Sequence, residues 1–165
     1  MDKEPQVGIV LGSASDGALG QEITKVLTSF EVSFELVVAS AHRTPQKASL
    51  YAKEAAGRGI KVLIAVAGLA AHLPGVLAAD TVLPVIGVPA AGGTLGGLDA
   101  LLSIAQMPGG IPVASVGINN GKNAALLAVA ILALSSQSLA QRLQAYRQEL
   151  AAQVEVREQE VLREL

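Results

Sequence analysis

The chain has 165 residues, a length typical of one domain with a substantial core. Its 12 Lys and Arg residues against 14 Asp and Glu residues give a formal charge of −2, and this lack of a basic excess argues against a nucleic-acid-binding protein. The absence of cysteine excludes disulfides, thiolate metal sites and a cysteine nucleophile.

The chain shows no sign of a membrane segment or a signal peptide. Its first residues, Met1 to Pro5, are charged and run directly into a predicted strand, so we expect a cytoplasmic protein. The longest uninterrupted apolar run, Ala124 to Leu134, is too short for a bilayer, which needs about 20 residues. A mean hydropathy of +0.48 without such a segment suggests that apolar surface is buried between subunits of a homo-oligomer.

Five apolar runs predict the strands of a parallel sheet, because strands covered by helices on both sides are apolar on both faces. They are Val7 to Leu11, Phe34 to Ala39, Lys61 to Ala67, Leu83 to Val88 and a weaker run from Pro112 to Gly117. Helical segments follow them at Gly17 to Ser29, Gln46 to Arg58, Pro74 to Ala79, Gly97 to Gln106 and Asn120 to Leu134. This alternation predicts a doubly wound α/β sandwich, and five strands fit the flavodoxin-like order 2-1-3-4-5.

The tail, residues 135–165, is polar and predicts one further helix. Its apolar residues recur at helical spacing and form one stripe. We therefore divide the chain into an α/β domain, residues 1–134, and a helical extension, residues 135–165, which packs either on its own domain or on a neighbouring subunit. The stripe consists of Leu139, Leu143, Tyr146, Leu150, Val154 and Val161.

The loop after the first strand carries hydroxyl groups. Ligands of open α/β sheets bind outside the carboxyl ends of the strands. Ser13 and Ser15, next to a helix N-terminus, suit an anion such as phosphate, while Asp16 could accept hydrogen bonds from ribose hydroxyls. The alternative is a helix N-cap without any ligand.

The loop after the second strand, Ser40 to Pro45, combines a proton carrier with a fixed cation. His42 can transfer protons near neutral pH, and Arg43 can hold a phosphate or carboxylate. Thr44 is predicted to cap the next helix and Pro45 to occupy its first position. The alternative is a surface loop with a solvated arginine.

The loop after the third strand, Ala67 to Gly75, contains small residues that would let a substrate approach the backbone. Free amides near the start of the next helix could bind a carboxylate. His72 is either a second acid/base group or, as we favour, a structural histidine that shapes the loop. No His-x-x-x-His or Glu-x-x-His spacing supports a metal site, so we expect no metal.

The remaining loops are less specific. The glycine-rich stretch from Pro89 to Gly97 lacks the Gly-Lys-Ser/Thr of a Walker loop, and we expect it to be mobile and able to close over a ligand. The turn from Gln106 to Pro112 could line the pocket or a subunit contact. The stretch from Asn119 to Asn123 is typical of a helix-capping loop.

Six short motifs follow one another along the chain: Gly12 to Asp16, Ser40 to Pro45, Ala70 to Gly75, Leu83 to Pro89, Gln106 to Gly110 and Lys122 to Ala128. Together they resemble the PurE family of N5-carboxyaminoimidazole ribonucleotide mutases, and the resemblance covers about Val7 to Leu134. The chain departs from the family pattern at Gly17, where an aromatic is common, at Leu69, where a glycine is usual, and in the glycine-rich loop 92–97.

The resemblance implies an enzyme of purine biosynthesis that needs no cofactor. It would move a carboxylate from N5 to C4 of aminoimidazole ribonucleotide, through decarboxylation to carbon dioxide and recarboxylation. It also implies a homo-octamer with active sites at subunit contacts. The partners would then be this ribonucleotide, carbon dioxide and other copies of the chain, without nucleic acid or membrane.

The resemblance also implies roles for individual residues. His42 would be the general acid and base, Asp16 would hold the ribose hydroxyls, and Ser40 would line the base pocket. The 5′-phosphate would be held by Ser13, Ser15 and Arg43. The carboxylate or carbon dioxide would lie against a backbone cradle formed by Gly68, Ala70, Ala71, His72 and Leu73.

Arg43 and the Ala-His-Leu-Pro pattern around His72 favour the mutase type over the related carboxylases, which carry Lys at the position of Arg43. Two alternatives remain. One is a direct aminoimidazole ribonucleotide carboxylase, and the other is a catalytically inactive nucleotide-binding homologue.

Overall fold

The structure is a computed structural model that describes residues 4–164. Five parallel strands form one sheet in the order β2-β1-β3-β4-β5, with helices on both faces. The predicted fold class and strand order are therefore confirmed. The predicted features of Met1–Lys3 and of Leu165 lie outside the described residues.

Strands and helices alternate along the chain. The strands are β1 (Val7–Leu11), β2 (Phe34–Val38), β3 (Val62–Gly68), β4 (Val85–Ala90) and β5 (Ala114–Ser115). The helices are α1 (Gly17–Ser29), α2 (Pro45–Ala55), α3 (Leu73–Asp80), α4 (Leu98–Ala105), α5 (Gly121–Ala133) and α6 (Gln137–Glu164).

The core has two halves because successive side chains of a strand point to opposite faces of the sheet. Ile9 and Leu11 of β1 pack with α1, α5 and the start of α6, whereas Val10 packs with α2, α3 and α4. All five residues of β1 are buried, as its continuous apolar run predicts. Helices on both faces therefore hold the central strands, and the loops at the strand ends, in fixed positions.

The fifth strand is shorter than the sequence predicts. The prediction of Pro112 to Gly117 is wrong in extent, since only Ala114 and Ser115 pair with β4. This strand lies at the sheet edge, and Pro112 has no N–H to donate. The chain after β5 is held to β4 by Asn119, whose N–H donates to the carbonyl of Pro89 at 2.8 Å.

Helix α6 packs on its own domain only at its start. Leu139 is buried against the core, and the Tyr146 ring meets the Phe30 ring edge-on at 5.6 Å. Arg142 donates to the Phe30 carbonyl at 2.9 Å and to the Glu31 carboxylate at 2.8 Å. Residues 147–163 are exposed throughout. Among the described helices, none combines the length and the apolar character that crossing a membrane requires.

Candidate functional site

The register of the parallel strands brings four loops to one edge of the sheet. Leu11 at the end of β1 pairs with Val38 of β2 and Val66 of β3, and Val66 pairs with Val88 of β4. The loops after these strands enclose a cavity of about 590 Å³. Every residue predicted for the site, from Ser13 in the first loop to Leu73 in the third, lines this cavity.

The first loop is fixed by a reciprocal capping box. The Asp16 carboxylate accepts a hydrogen bond from the Ser13 N–H at 2.9 Å, and Ser13 Oγ accepts from the N–H and the hydroxyl of Ser15 at 3.3 and 3.0 Å. The same three side chains line the cavity. Ser13 thus caps the short 3-10 turn Ala14–Asp16, whereas Asp16, the N-cap residue of α1, makes no side-chain cap bond to that helix.

Asp16 is the one charged residue among the described side chains that is buried. Burial raises the pKa of the Asp16 carboxyl group above its usual 3.8, although the Ser13 amide and the positive charge of Arg43 act in the opposite direction. A ligand hydroxyl that donates to this carboxylate would stabilise its ionised form.

The second loop is closed on itself by Ser40 and Thr44. The Thr44 hydroxyl accepts from the Ser40 N–H at 2.8 Å and lies 3.2 Å from the Ser40 carbonyl, to which it donates. Thr44 is the N-cap residue of α2, but its side chain caps no helical amide, so that part of the prediction is wrong. Its hydroxyl is already engaged with Ser40. Pro45 begins the helix as predicted.

The closed turn leaves His42 and Arg43 exposed at the cavity. The Arg43 N–H donates to Ser40 Oγ at 3.2 Å, which fixes the backbone beneath the guanidinium. Among the described side chains, no carboxylate lies within ion-pair distance of Arg43. Its guanidinium is therefore available to an anionic ligand.

The two histidines of the chain meet in this cavity. His42 Nε2 lies 3.1 Å from His72 Nδ1, with the ring planes at 76° to each other. His72 Nδ1 also lies 3.1 Å from the Ala70 carbonyl oxygen, which can only accept. We therefore assign the hydrogen to His72 Nδ1 in the neutral pair, and this leaves His42 Nε2 as an acceptor of the same hydrogen. His72 thus contacts both His42 and the backbone of its own loop.

The third loop makes two very tight turns. The Ala71 N–H donates to the Leu69 carbonyl at 2.8 Å, and the His72 N–H donates to the Ala70 carbonyl at 2.7 Å. These two amides are engaged within the loop. The expectation of free amides that could bind a carboxylate therefore falls on the remaining amides of this loop and of the start of α3, where it stays a prediction. Leu69 adopts φ 54°, a left-handed conformation that costs a residue with a Cβ about 1–2 kcal/mol.

The fourth loop forms a wall of the cavity with Ala90, Ala91 and Gly93. Asn119 holds its start, since its side-chain oxygen accepts from the Ala91 N–H at 2.7 Å. The sequence analysis missed this role and treated Asn119 as part of a capping loop. The available signal was the residue type, because Asn tolerates the left-handed conformation that Asn119 adopts, with φ 56°. The next residue, Asn120, does cap α5 through its side chain.

The described residues contain no group of three His, Cys, Asp or Glu side chains placed to hold a metal ion.

Comparison with known proteins identifies the family. The family model described as AIR carboxylase matches residues 6–153. The chain belongs to the AIR carboxylase family. The resemblance drawn from the six motifs is thereby confirmed.

Several named proteins resemble the chain over most of its length. It is 56% identical over 146 residues to an N5-carboxyaminoimidazole ribonucleotide mutase of Pyrococcus abyssi, covering 88% of this chain and 84% of that protein. It is 51% identical over 144 residues to a phosphoribosylaminoimidazole carboxylase of Candida glabrata, covering 87% of this chain but 25% of that protein. The crystal structure of Treponema denticola PurE superposes with a TM-score of 0.82 at 30% identity, covering 91% of this chain and 94% of that one.

The raised pKa of Asp16 predicts how stability depends on pH. A carboxyl group whose pKa is raised by folding contributes stability at pH values below its unfolded pKa, and that contribution is lost as the pH rises through its folded pKa. Asp16→Asn removes this loss while keeping an oxygen that can accept from Ser13. The free energy of unfolding of the variant relative to the wild type should therefore become more favourable as the pH rises from below 3.8, the usual pKa of the group, toward neutral pH.

Urea unfolding of both proteins across this range measures the difference, and contributions of the other carboxyl groups cancel in it. The assignment of a burial cost to Asp16 would be contradicted if the difference in free energy of unfolding between the two proteins did not change with pH. It would also be contradicted if the wild type became the more stable protein as the pH rises.

Proposed function

We propose that this protein is an N5-carboxyaminoimidazole ribonucleotide mutase, an isomerase of purine biosynthesis. The observation that carries the proposal is the placement of His42, a proton carrier held by His72, in the same cavity as the Ser13 loop and the Arg43 guanidinium. Proton transfer and anion binding are the two functions that this reaction requires of the protein.

The cavity offers one consistent orientation for the ribonucleotide. Its phosphate would lie at Arg43 and at the hydroxyls of Ser13 and Ser15, and its ribose hydroxyls would donate to Asp16. The imidazole would then extend past Ser40 toward His42. Its carboxylate would reach the third loop, where the backbone of Gly68, Ala70, Ala71, His72 and Leu73 lines the cavity.

The reaction needs two proton transfers, one from His42 to the nitrogen and one from C4 to His42. The bond between N5 and the carboxylate carbon breaks, carbon dioxide leaves, and the electron pair stays on the nitrogen, which takes a proton from protonated His42. C4 of the ring then attacks carbon dioxide and forms the new carbon–carbon bond. His42, now neutral, removes the C4 proton and regains its initial state. Atoms and charge balance without a cofactor, an oxidant or ATP.

His72 is suited to follow these changes in His42. In the neutral pair its Nδ1–H points at both Ala70 O and His42 Nε2. When His42 is protonated on Nε2, two N–H groups would face each other, so the His42–His72 contact must weaken or His72 must shift its hydrogen to Nε2.

A second candidate function is the direct carboxylation of aminoimidazole ribonucleotide by carbon dioxide. The relative from Candida glabrata is named a carboxylase, and this chain matches a quarter of its length. The same cavity and the same proton acceptor would serve that reaction, since it repeats the second half of the mutase path. The two functions differ in whether N5-carboxyaminoimidazole ribonucleotide is consumed.

We further propose a cytoplasmic homo-oligomer, with the octamer of the family as its expected form and the active sites near subunit contacts. The α6 helix supports an assembly. Leu150 and Val154 continue its apolar stripe into the segment that leaves the domain, and they are 40% and 66% exposed. Contact with a second copy of the chain would bury them.

His42→Asn tests the catalytic proposal. Asparagine keeps a polar side chain of similar reach but cannot carry a proton, so turnover should fall by about 100-fold or more while nucleotide affinity changes little. The assay follows conversion of N5-carboxyaminoimidazole ribonucleotide, and calorimetric titration with aminoimidazole ribonucleotide measures affinity. Gln46→Asn, in the adjacent exposed helix turn and outside the cavity lining, serves as the control. Normal turnover in His42→Asn would rule out the assigned role.

The assembly proposal is tested by placing charge on the exposed stripe of α6. Leu150→Asp combined with Val154→Asp should lower the molar mass measured by light scattering, because carboxylates cannot be buried in an apolar contact. Gln148→Asp combined with Ala152→Asp adds the same charges at the same spacing on the opposite face and should leave the mass unchanged. An equal mass for all three proteins would contradict a role for this stripe in assembly.

A further inference from the structure

Leu69 combines two unfavourable features at the cavity. Its backbone is left-handed, with φ 54°, and its side chain is 56% exposed. A leucine in this conformation is strained. Because its side chain is largely exposed, hydrophobic burial offsets little of the strain energy. Strained residues of this kind cluster at functional sites, so the side chain at this position calls for a functional reason.

The Leu69 side chain connects two walls of the cavity. A Cβ atom added to Gly93 would lie 2.8 Å from Leu69 Cδ2, so the leucine is already in contact with the backbone of the fourth loop. Gly93 itself adopts φ 60°, and both residues line the cavity. The leucine thus fills space that any side chain at position 93 would need.

The cavity that Leu69 lines contains both apolar side chains and the two histidines. Ala67, Ala71 and Ala90 line the same cavity and carry only methyl groups. Ala70, the next residue in the chain, accepts from the ring of His72, which contacts His42. Leu69 therefore lies beside the groups at which carbon dioxide would be released and recaptured.

We propose that Leu69 retains the carbon dioxide intermediate by closing the gap between the third and fourth loops. This inference rests on the proposed function. Carbon dioxide is neutral and small, so charged groups hold it weakly, and an apolar wall that keeps water out is the effective barrier to its escape. A bound ribonucleotide covers the exposed part of the leucine, which recovers the burial that the empty site lacks.

The test measures how much carbon dioxide escapes during each turnover. N5-carboxyaminoimidazole ribonucleotide labelled with carbon-13 in its carboxylate is converted in buffer containing excess unlabelled carbon dioxide and bicarbonate. The fraction of early product without label, corrected for spontaneous breakdown, reports exchange with solvent. In Leu69→Gly this fraction should rise about tenfold over the wild type, as expected for losing the contacts of a half-exposed leucine.

Two further variants distinguish apolar closure from side-chain size or backbone strain. Leu69→Met keeps an apolar side chain of similar volume, so its fraction of unlabelled product should equal that of the wild type. Leu69→Asn relaxes the backbone because Asn tolerates the left-handed conformation. Its side chain is polar, however, so its fraction of unlabelled product should be as high as that of Leu69→Gly. Leu95→Ala, at a leucine that is 61% exposed in the fourth loop and does not line the cavity, is the matched control.

Exchange in Leu69→Gly at the wild-type level would overturn the role of Leu69 and leave the mutase proposal intact. Equal exchange in Leu69→Met and Leu69→Gly would overturn it as well. If the wild-type protein forms no C4-carboxylated product from this substrate, the mutase proposal fails and the inference about Leu69 falls with it.

Discussion

The parallel arrangement of β1 to β4 is the constraint on which the candidate site depends. Because all four strands run in one direction, their following loops emerge at the same edge of the sheet. The contact between His42 and His72 joins residues 30 positions apart in sequence, from the loops after β2 and β3. These strands lie on either side of β1, whose own loop supplies Ser13 and Asp16. The sheet thereby places the side chains of the Ser13 loop and both histidines around one cavity.

The loops at this edge hold their shape through local hydrogen bonds. Asp16 and Ser13 bond reciprocally, the Thr44 hydroxyl closes its turn on Ser40, and Asn119 anchors the fourth loop. Each bond leaves the neighbouring functional side chain facing the cavity. A site built from such loops is preorganised, since little ordering remains to be done when the ligand binds.

The fold was largely predictable from the sequence, and the site only in part. Strands buried on both faces produce continuous apolar runs, so β1 was predicted to the residue and the strand order followed from their number. The length of β5 was overestimated because apolar character alone does not show how many residues of an edge strand pair with the neighbouring strand. Thr44 was misassigned because its hydroxyl had two possible partners. The contact between the two histidines depends on tertiary structure and leaves no signal in the sequence. The left-handed conformation of Leu69 had an indirect signal, because a glycine is usual at this position in the family that the motifs resemble.

The most direct test of the account is proton NMR of the purified protein mixed with N5-carboxyaminoimidazole ribonucleotide, without ATP, added metal or bicarbonate. The account predicts that the C4 proton signal of the imidazole disappears at a rate proportional to protein concentration as the C4-carboxylated isomer forms. Breakdown to aminoimidazole ribonucleotide alone, at the rate seen without protein, would contradict the central claim that this cavity transfers the carboxylate from N5 to C4.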